Sequence, residues 1–233
     1  MLRVNPGVLI LALVMLVSYL EYHNLRDIVI KIAAPVFGLE KQIIRKHKSQ
    51  ILAYEEQNSE IKECDFLLIG DSHTYGIPEF ELHHTSTVAN RALNGETTKG
   101  VLFRLEKNIL SLNPTYTVIQ LGYNDLKYRS VENTITNYKK ILSELKSERT
   151  YIVSLFPVFH ERTFINSKII TFNKALRDIC AGSENYIYID IHRKLYDYSL
   201  KGINPTYTSD GTHLTASGYS IYVEGLKNHI LKN

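Results

Sequence analysis

A serine hydroxyl becomes a useful nucleophile only when a neighbouring base takes its proton. One serine in this chain sits where such chemistry is usually found. Phe66, Leu67, Leu68 and Ile69 form an unbroken apolar run, the pattern of a strand buried on both faces. The run leads directly into Gly70-Asp71-Ser72-His73-Thr74. Open α/β sheets place their reactive groups just beyond the carboxyl ends of such strands. Asp and Ser are also common helix caps, so the block alone could simply end a strand and begin a helix. Three further polar blocks share its position in the pattern: Asn90 to Gly95, Gly122-Tyr123-Asn124-Asp125 and Asp210-Gly211-Thr212-His213. Each has a plain reading as a turn or a cap, and a single histidine among nine carries little weight. Four such blocks, each just beyond a strand pattern or before the final helix, are much harder to assign to chance.

The intervening elements explain how the blocks could meet. Thr87 to Asn90 reads as a short second strand. The apolar spacing of Val101, Leu102, Leu105, Ile109 and Leu110 predicts a helix over 96–110. Asn113-Pro114 breaks it, and a third strand follows over 116–121. A helix over 131–145, a strand over 150–156, a helix over 166–179, a strand over 186–191 and a last helix over 217–230 complete the order. Regular alternation of this kind predicts one parallel sheet with helices on both faces. In such a sheet the segments after each strand gather at one edge, so Ser72, Gly95, Asn124 and the 210–213 loop can converge. No internal repeat and no low-complexity tract interrupts the order.

Composition narrows the alternatives. The chain has 233 residues, 44% of them hydrophobic and 22% charged, which suits one globular core. A net charge of +3, without Lys/Arg clusters interleaved with aromatics, excludes a nucleic-acid partner from the reading. Cys64 and Cys180 offer neither metal-ligand spacing nor a disulfide framework, and buried free thiols are expected, with a single bridge between the two left open. His83-His84 has no partner at ligand spacing, so no metal is assigned.

The amino-terminal part is organised differently. Val4 to Leu20 is seventeen residues without a charge, close to the minimum span of a bilayer. No small-x-small cleavage site follows it, which favours an uncleaved transmembrane signal anchor over residues 1–21. Arg3 before the span and Arg26 and Lys31 after it leave the orientation undecided by charge. Residues 22–60 read as a helical juxtamembrane stalk with a basic stretch at Lys41, Arg45, Lys46 and Lys48. The globular domain is then expected over 61–233.

From Asp65 to the carboxyl end the four blocks, in order and approximate spacing, resemble the SGNH (GDSL-type) hydrolases. That family's first block usually reads Gly-Asp-Ser-Leu or Gly-Asp-Ser-Ile. Here His73 takes the fourth place and leaves the serine where the family has it. The resemblance implies an α/β fold, a three-layer flavodoxin-like sandwich around a five-stranded parallel sheet. It implies Ser72 as nucleophile, His213 as general base and later acid, and Asp210 as the group orienting the imidazole. It also implies an oxyanion hole made by the N–H groups of Ser72 and Gly95 and the side chain of Asn124. No cofactor is implied.

The resulting expectation is a membrane-anchored serine esterase facing the extracytoplasmic side, acting on an ester of an acylated carbohydrate, most simply an acetyl ester. Acyl transfer to a sugar, lipase or thioesterase activity, and a silent glycan- or partner-binding domain remain open alternatives. No long apolar insertion suggests a lipase-type lid. Tyr75, Tyr123, Tyr128 and Tyr207 lie in or near the active-edge loops and could stack on sugar rings or simply pack. Asp71 and Asp125 are expected to tie their loops together. His73 is expected either to touch substrate or to be an exposed loop residue.

Overall fold

The computed structural model describes residues 38–61, 63–78, 86–159 and 164–230. The expected anchor, residues 22–37 of the expected stalk, and His83-His84 lie outside them. Among the described residues no helix is long and apolar enough to cross a membrane.

Five strands, β1 (Glu63–Gly70), β2 (Val88–Asn90), β3 (Asn113–Gln120), β4 (Arg149–Val153) and β5 (Tyr186–Ile189), form one sheet in the order β2-β1-β3-β4-β5. All four pairings are parallel. The central strands are apolar without alternation because both faces are covered. Leu67, Ile69, Ile119 and Ile152 enter one core, and Leu68, Val118, Tyr151 and Val153 enter the other. The first core is closed by α4 (Thr98–Leu105), α6 (Val131–Glu144) and α7 (Asn166–Ala181), which contribute Val101, Ile141 and Phe172 among others. The second is closed by α9 (Ala216–Ile230) through Tyr222, Val223 and Leu226. Helix, sheet and helix make three layers.

The preceding helices, α1 (Leu39–Lys46) and α2 (Lys48–Ile61), and four one-turn pieces complete the description. Those pieces are α3 (Ser72–Tyr75), α5 (Tyr123–Leu126), α8 (His192–Leu195) and a 3₁₀ turn at Pro205–Tyr207. A small antiparallel hairpin, β6 (Tyr196–Asp197) and β7 (Gly202–Ile203), follows α8.

Several boundaries differ from the sequence expectation, each for a local reason. β3 starts at Asn113, with Pro114 tolerated near the beginning of the strand. The helix expected over 96–110 is α4 followed by a wider π-type turn, Glu106–Leu110. β4 ends at Val153 because amides on α7 take over the backbone beyond it. Asn173 Oδ1 accepts from Leu155 N–H and Asn166 Oδ1 from Val158 N–H. Cys64 and Cys180 are buried and free.

The larger difference concerns α2, which the sequence reading assigned to a stalk ending at residue 60. The compact body begins at Glu40, and α2 buries Ile51, Tyr54 and Asn58 along one face. Ile51 and Tyr54 pack with Leu93. Asn58 Oδ1 accepts from Arg91 Nε at 2.8 Å, while its amide donates to the carbonyls of Lys107 and Asn108 and to Ser111 Oγ. Asn58→Ala would strip these buried partners of their bonds, at a cost of about 1–3 kcal/mol. The expected result is a lower urea midpoint at unchanged slope. A midpoint equal to that of the wild type would mean that α2 does not belong to the cooperative unit.

Candidate active site

Parallel pairing sets the site. Gly70 at the end of β1 lies opposite Gln120 at the end of β3, and Leu68 lies opposite Asn90 at the end of β2. The chain therefore leaves all three strands at one edge, around the point where the connection from β1 goes to one side of it and β3 lies on the other. At the exit from β1, Asp71 is the N-cap of α3, its carboxylate accepting His73 N–H at 3.1 Å. Ser72 is the first residue of that turn and is half-buried. Gly70 has no room for a side chain, since a Cβ there would run into the Thr74 side chain and sit 2.5 Å from Gln120 O.

The second block turns at Gly95, whose φ of +76° lies in the left-handed region that glycine enters without strain. No atom lies within 4 Å of where its Cβ would be, so the loop faces open space there. Behind that turn the loop is heavily braced. Glu96 pairs with Arg104 at 2.8 Å, both buried, and Arg104 Nη2 donates to Arg91 O at 2.6 Å. Tyr54 OH donates to Ala92 O at 2.9 Å and His47 Nε2 lies 3.0 Å from Asn94 O. The helices expected to be a stalk thus hold the block that carries Gly95.

Asn124, in α5, joins the second and third blocks. Its Nδ2 donates to Glu96 O at 3.0 Å, and Lys127 Nζ donates to its Oδ1 at 3.1 Å. A carbonyl can only accept and an ammonium only donate, so these partners fix which end of the amide is nitrogen. The Nδ2 also lies 3.4 Å from Asp71 Oδ2, a long contact that ties it to the Ser72 turn. Asp125 accepts from Thr98 N–H at 2.8 Å and from Thr98 Oγ1 at 2.6 Å. Burial pushes its carboxyl up to about 7 against the pull of those bonds. It anchors its loop as the sequence suggested.

The fourth block is organised by Asp210. Its Oδ1 accepts the N–H groups of Thr212 (2.9 Å) and His213 (2.7 Å), and its Oδ2 lies 2.8 Å from His213 Nδ1. Burial raises the Asp210 carboxyl, but the bonds from His213 and Thr212 outweigh it and hold the pKa at about 2. An ionised Asp210 can accept but not donate, so Nδ1 carries the proton and Nε2 is left free to act as a base. Both side chains face solvent, at 54% and 45% exposure, so this half of the site is open.

The structure brings the four blocks to one edge, with Ser72, Gly95, Asn124, Asp210 and His213 on turns and loops that are linked to one another. Asp71 meets Asn124, Asn124 meets Glu96, and Thr212 is met by both His73 and Tyr123. His73 differs from its expected place. It is buried to 2% exposure, with Nε2 2.8 Å from Thr212 O, and faces the protein rather than solvent. Tyr123 is also buried, packed under the Lys127 ammonium at 4.3 Å, while Tyr75 is 44% exposed. Lys127, Arg104 and His47 support the site without having been singled out in the sequence. Only Lys127 had a signal, three residues beyond Asn124 on the same helical turn.

Asp210→Asn provides a test of this electrostatic arrangement. A carboxyl whose folded pKa is held below its unfolded value, about 3.9, stabilises the fold above that pH. The stabilisation is lost as pH falls through about 2. Thermal melts should show the wild type above Asp210→Asn at neutral pH, with the gap closing between about pH 4 and pH 2. A gap that persists unchanged at the acid end would show that the Asp210 charge does not hold the loop.

A model of the GDSL-like lipase/acylhydrolase family matches residues 68–221, about two-thirds of the chain. No curated protein sequence matches. Among solved structures, a protein of Streptococcus pneumonia provisionally named a platelet activating factor superposes with a TM-score of 0.72 at 24% identity, covering 85% of this chain and 99% of the other. A GDSL-like lipase from Bacteroides thetaiotaomicron gives 0.66 at 22% identity, covering 78% and 97%. A catalytic mutant of an acetylxylan esterase from Geobacillus stearothermophilus gives 0.59 at 17% identity, covering 73% and 94%. At these identities the superpositions speak for the fold, and the family match speaks for the chemistry. The chain belongs to the GDSL-like lipase/acylhydrolase family and is an ester-hydrolysing enzyme.

Proposed function

We propose that this enzyme removes a small acyl group, most simply acetyl, from a carbohydrate through an acyl-enzyme on Ser72. In the first step Ser72 Oγ attacks the ester carbon while His213 Nε2 takes its proton. The oxyanion that forms accepts hydrogen bonds from the N–H groups of Ser72 and Gly95 and from Asn124 Nδ2. Collapse breaks the bond to the alcohol oxygen, which leaves with the proton held by His213. Water then attacks the acyl carbon, its proton passing to His213 and on to Ser72 Oγ as the acid departs. Asp210 stays ionised throughout and stabilises the imidazolium.

The observations that support this most are the fixed Asn124 amide and the ionised Asp210 carboxylate held against His213 Nδ1. A donor at a set position and a base with a set tautomer are what the two half-reactions require. The carbohydrate part of the reading draws on the solvent-facing His213 and Asp210, the exposed Tyr75 near the serine, and the acetylxylan esterase among the structural neighbours. The uncharged run Val4 to Leu20 supports a bilayer anchor, with the catalytic domain on the extracytoplasmic side where envelope glycans lie.

A series of p-nitrophenyl esters of increasing chain length is expected to give the highest kcat/KM with acetate and no turnover by Ser72→Ala above the uncatalysed rate. Rising activity with chain length would replace the carbohydrate ester with a lipid one. Asn124→Ala is expected to lower kcat about a hundredfold to a thousandfold, the usual consequence of losing one oxyanion donor. Wild-type turnover in that variant would remove Asn124 from the site. Full-length protein should sediment with membranes and resist carbonate extraction. Release by carbonate would rule out an anchor.

A further inference from the structure

The residue that follows the serine has no role in the steps above, yet it is a buried polar group. His73 is 2% exposed and packs edge-on to Phe156, with ring centroids 5.0 Å apart, and more loosely against Tyr123 at 6.4 Å. A buried imidazole is costly unless its nitrogens find partners. Nε2 lies 2.8 Å from the carbonyl of Thr212, the residue before His213. A carbonyl oxygen can only accept, so Nε2 carries a proton. Nδ1 faces Asp71 Oδ1 at 3.5 Å, the same carboxylate that caps α3 and touches Asn124.

We propose that His73 is a positioning residue, a clamp between the turn that carries Ser72 and the loop that carries His213. Its Nε2–H bond to Thr212 O sets the separation of hydroxyl and imidazole across 139 residues of chain. This rests on the reading of Ser72 and His213 as nucleophile and base. The His213 ring itself lies 6.0 Å from the His73 ring, centroid to centroid, and His73 is buried where His213 is exposed. A leucine or isoleucine, the usual fourth residue of the resembling block, would fill the space without donating.

Burial pushes the His73 pKa down, but the contact with Asp71 and the bond to Thr212 outweigh burial and raise it. The groups that face His73 are Asp71 at the head of α3, Lys127 at the end of α5, which opposes the charge, and the rings of Tyr123 and His213. On α9, the Tyr219 hydroxyl reaches the same turn, donating to Ser72 O at 3.4 Å.

The test compares His73→Leu, which fills the space, with His73→Gln, whose amide can donate in place of Nε2–H. His73→Leu is expected to lower kcat about tenfold to a hundredfold with KM changed by less than about twofold, the pattern of misaligned reacting groups. His73→Gln should recover most of that loss. Amide hydrogen exchange adds a readout that needs no turnover. Thr212 and His213, whose N–H groups are bonded to Asp210, should exchange at least about tenfold faster in His73→Leu and near the wild-type rate in His73→Gln. If the wild type turns over no ester, the catalytic reading fails while the exchange comparison still decides the clamp. Wild-type kcat in His73→Leu would overturn the proposal, as would equal Thr212 and His213 protection in all three proteins. A glutamine variant no better than the leucine one in both readouts would show a purely space-filling role and overturn it as well.

Discussion

The site depends on the parallel register between β1 and β3. Backbone hydrogen bonds place Gly70 level with Gln120, so the chain exits at Asp71 and Leu121 lie side by side. A slip of one residue would turn every side chain of β1 to the other face, moving Leu67 and Ile69 out of one core and Leu68 out of the other. Such a slip is opposed by two buried apolar faces at once. The geometry of the reacting groups therefore inherits its precision from hydrophobic burial on both faces of the sheet. The loops need only short-range polar contacts to refine it.

Those polar contacts are concentrated on one side. The second block is held by the Glu96–Arg104 ion pair, by Arg91 and Asn58, and by Tyr54 and His47 reaching in from α2 and the turn before it. A buried ion pair contributes little net stability compared with apolar groups of the same size, but breaking it by removing one partner is costly. Its value here is directional. Arg104 bonds both the Glu96 carboxylate and Arg91 O, fixing the backbone on either side of Gly95. A donor meant for a developing oxyanion must be in place before charge appears, since reorganisation during reaction would be costly.

Much of this was readable from sequence, and the parts that were not have physical causes. Strands with two buried faces leave runs such as Phe66 to Ile69, and Gly-bearing turns mark their ends, so the sheet and the four blocks stood out. α2 did not, because its buried face is Ile51, Tyr54 and Asn58, and an asparagine in a core position looks like a solvent residue. Its burial makes sense only once Arg91 and the carbonyls of the π-type turn are known to need partners. His73 escapes its local pattern for a related reason. A polar residue beside a serine in a loop reads as exposed, and nothing in the local pattern reveals a carbonyl 139 residues away waiting for a donor. β4 ends earlier than its apolar run suggests because Asn166 and Asn173 satisfy backbone groups that a strand would otherwise have to pair.

The two halves of the site are built on different principles. The side that carries Gly95 and Asn124 is set by the sheet and by buried polar braces. In the 210–213 loop Asp210 and His213 face solvent while Gly211 and Thr212 are buried, and the loop is shaped by one carboxylate that accepts two backbone N–H groups and the His213 ring. A self-contained turn of this kind can fix the angle between carboxylate and imidazole, but it cannot by itself fix where the imidazole stands relative to Ser72. That distance must come from bonds between the loop and the rest of the fold. Phe159 N–H to Gly211 O is one, at 2.8 Å, and the bridge between Thr208 and Leu214 steadies the base of the loop. Neither reaches the Ser72 turn. Among the side-chain contacts of the described residues, the His73–Thr212 bond joins that turn directly to the loop bearing the base. An exposed acid–base pair and a half-buried oxyanion side can act on one carbonyl only if something rigid spans them, and a buried imidazole is well suited to that task.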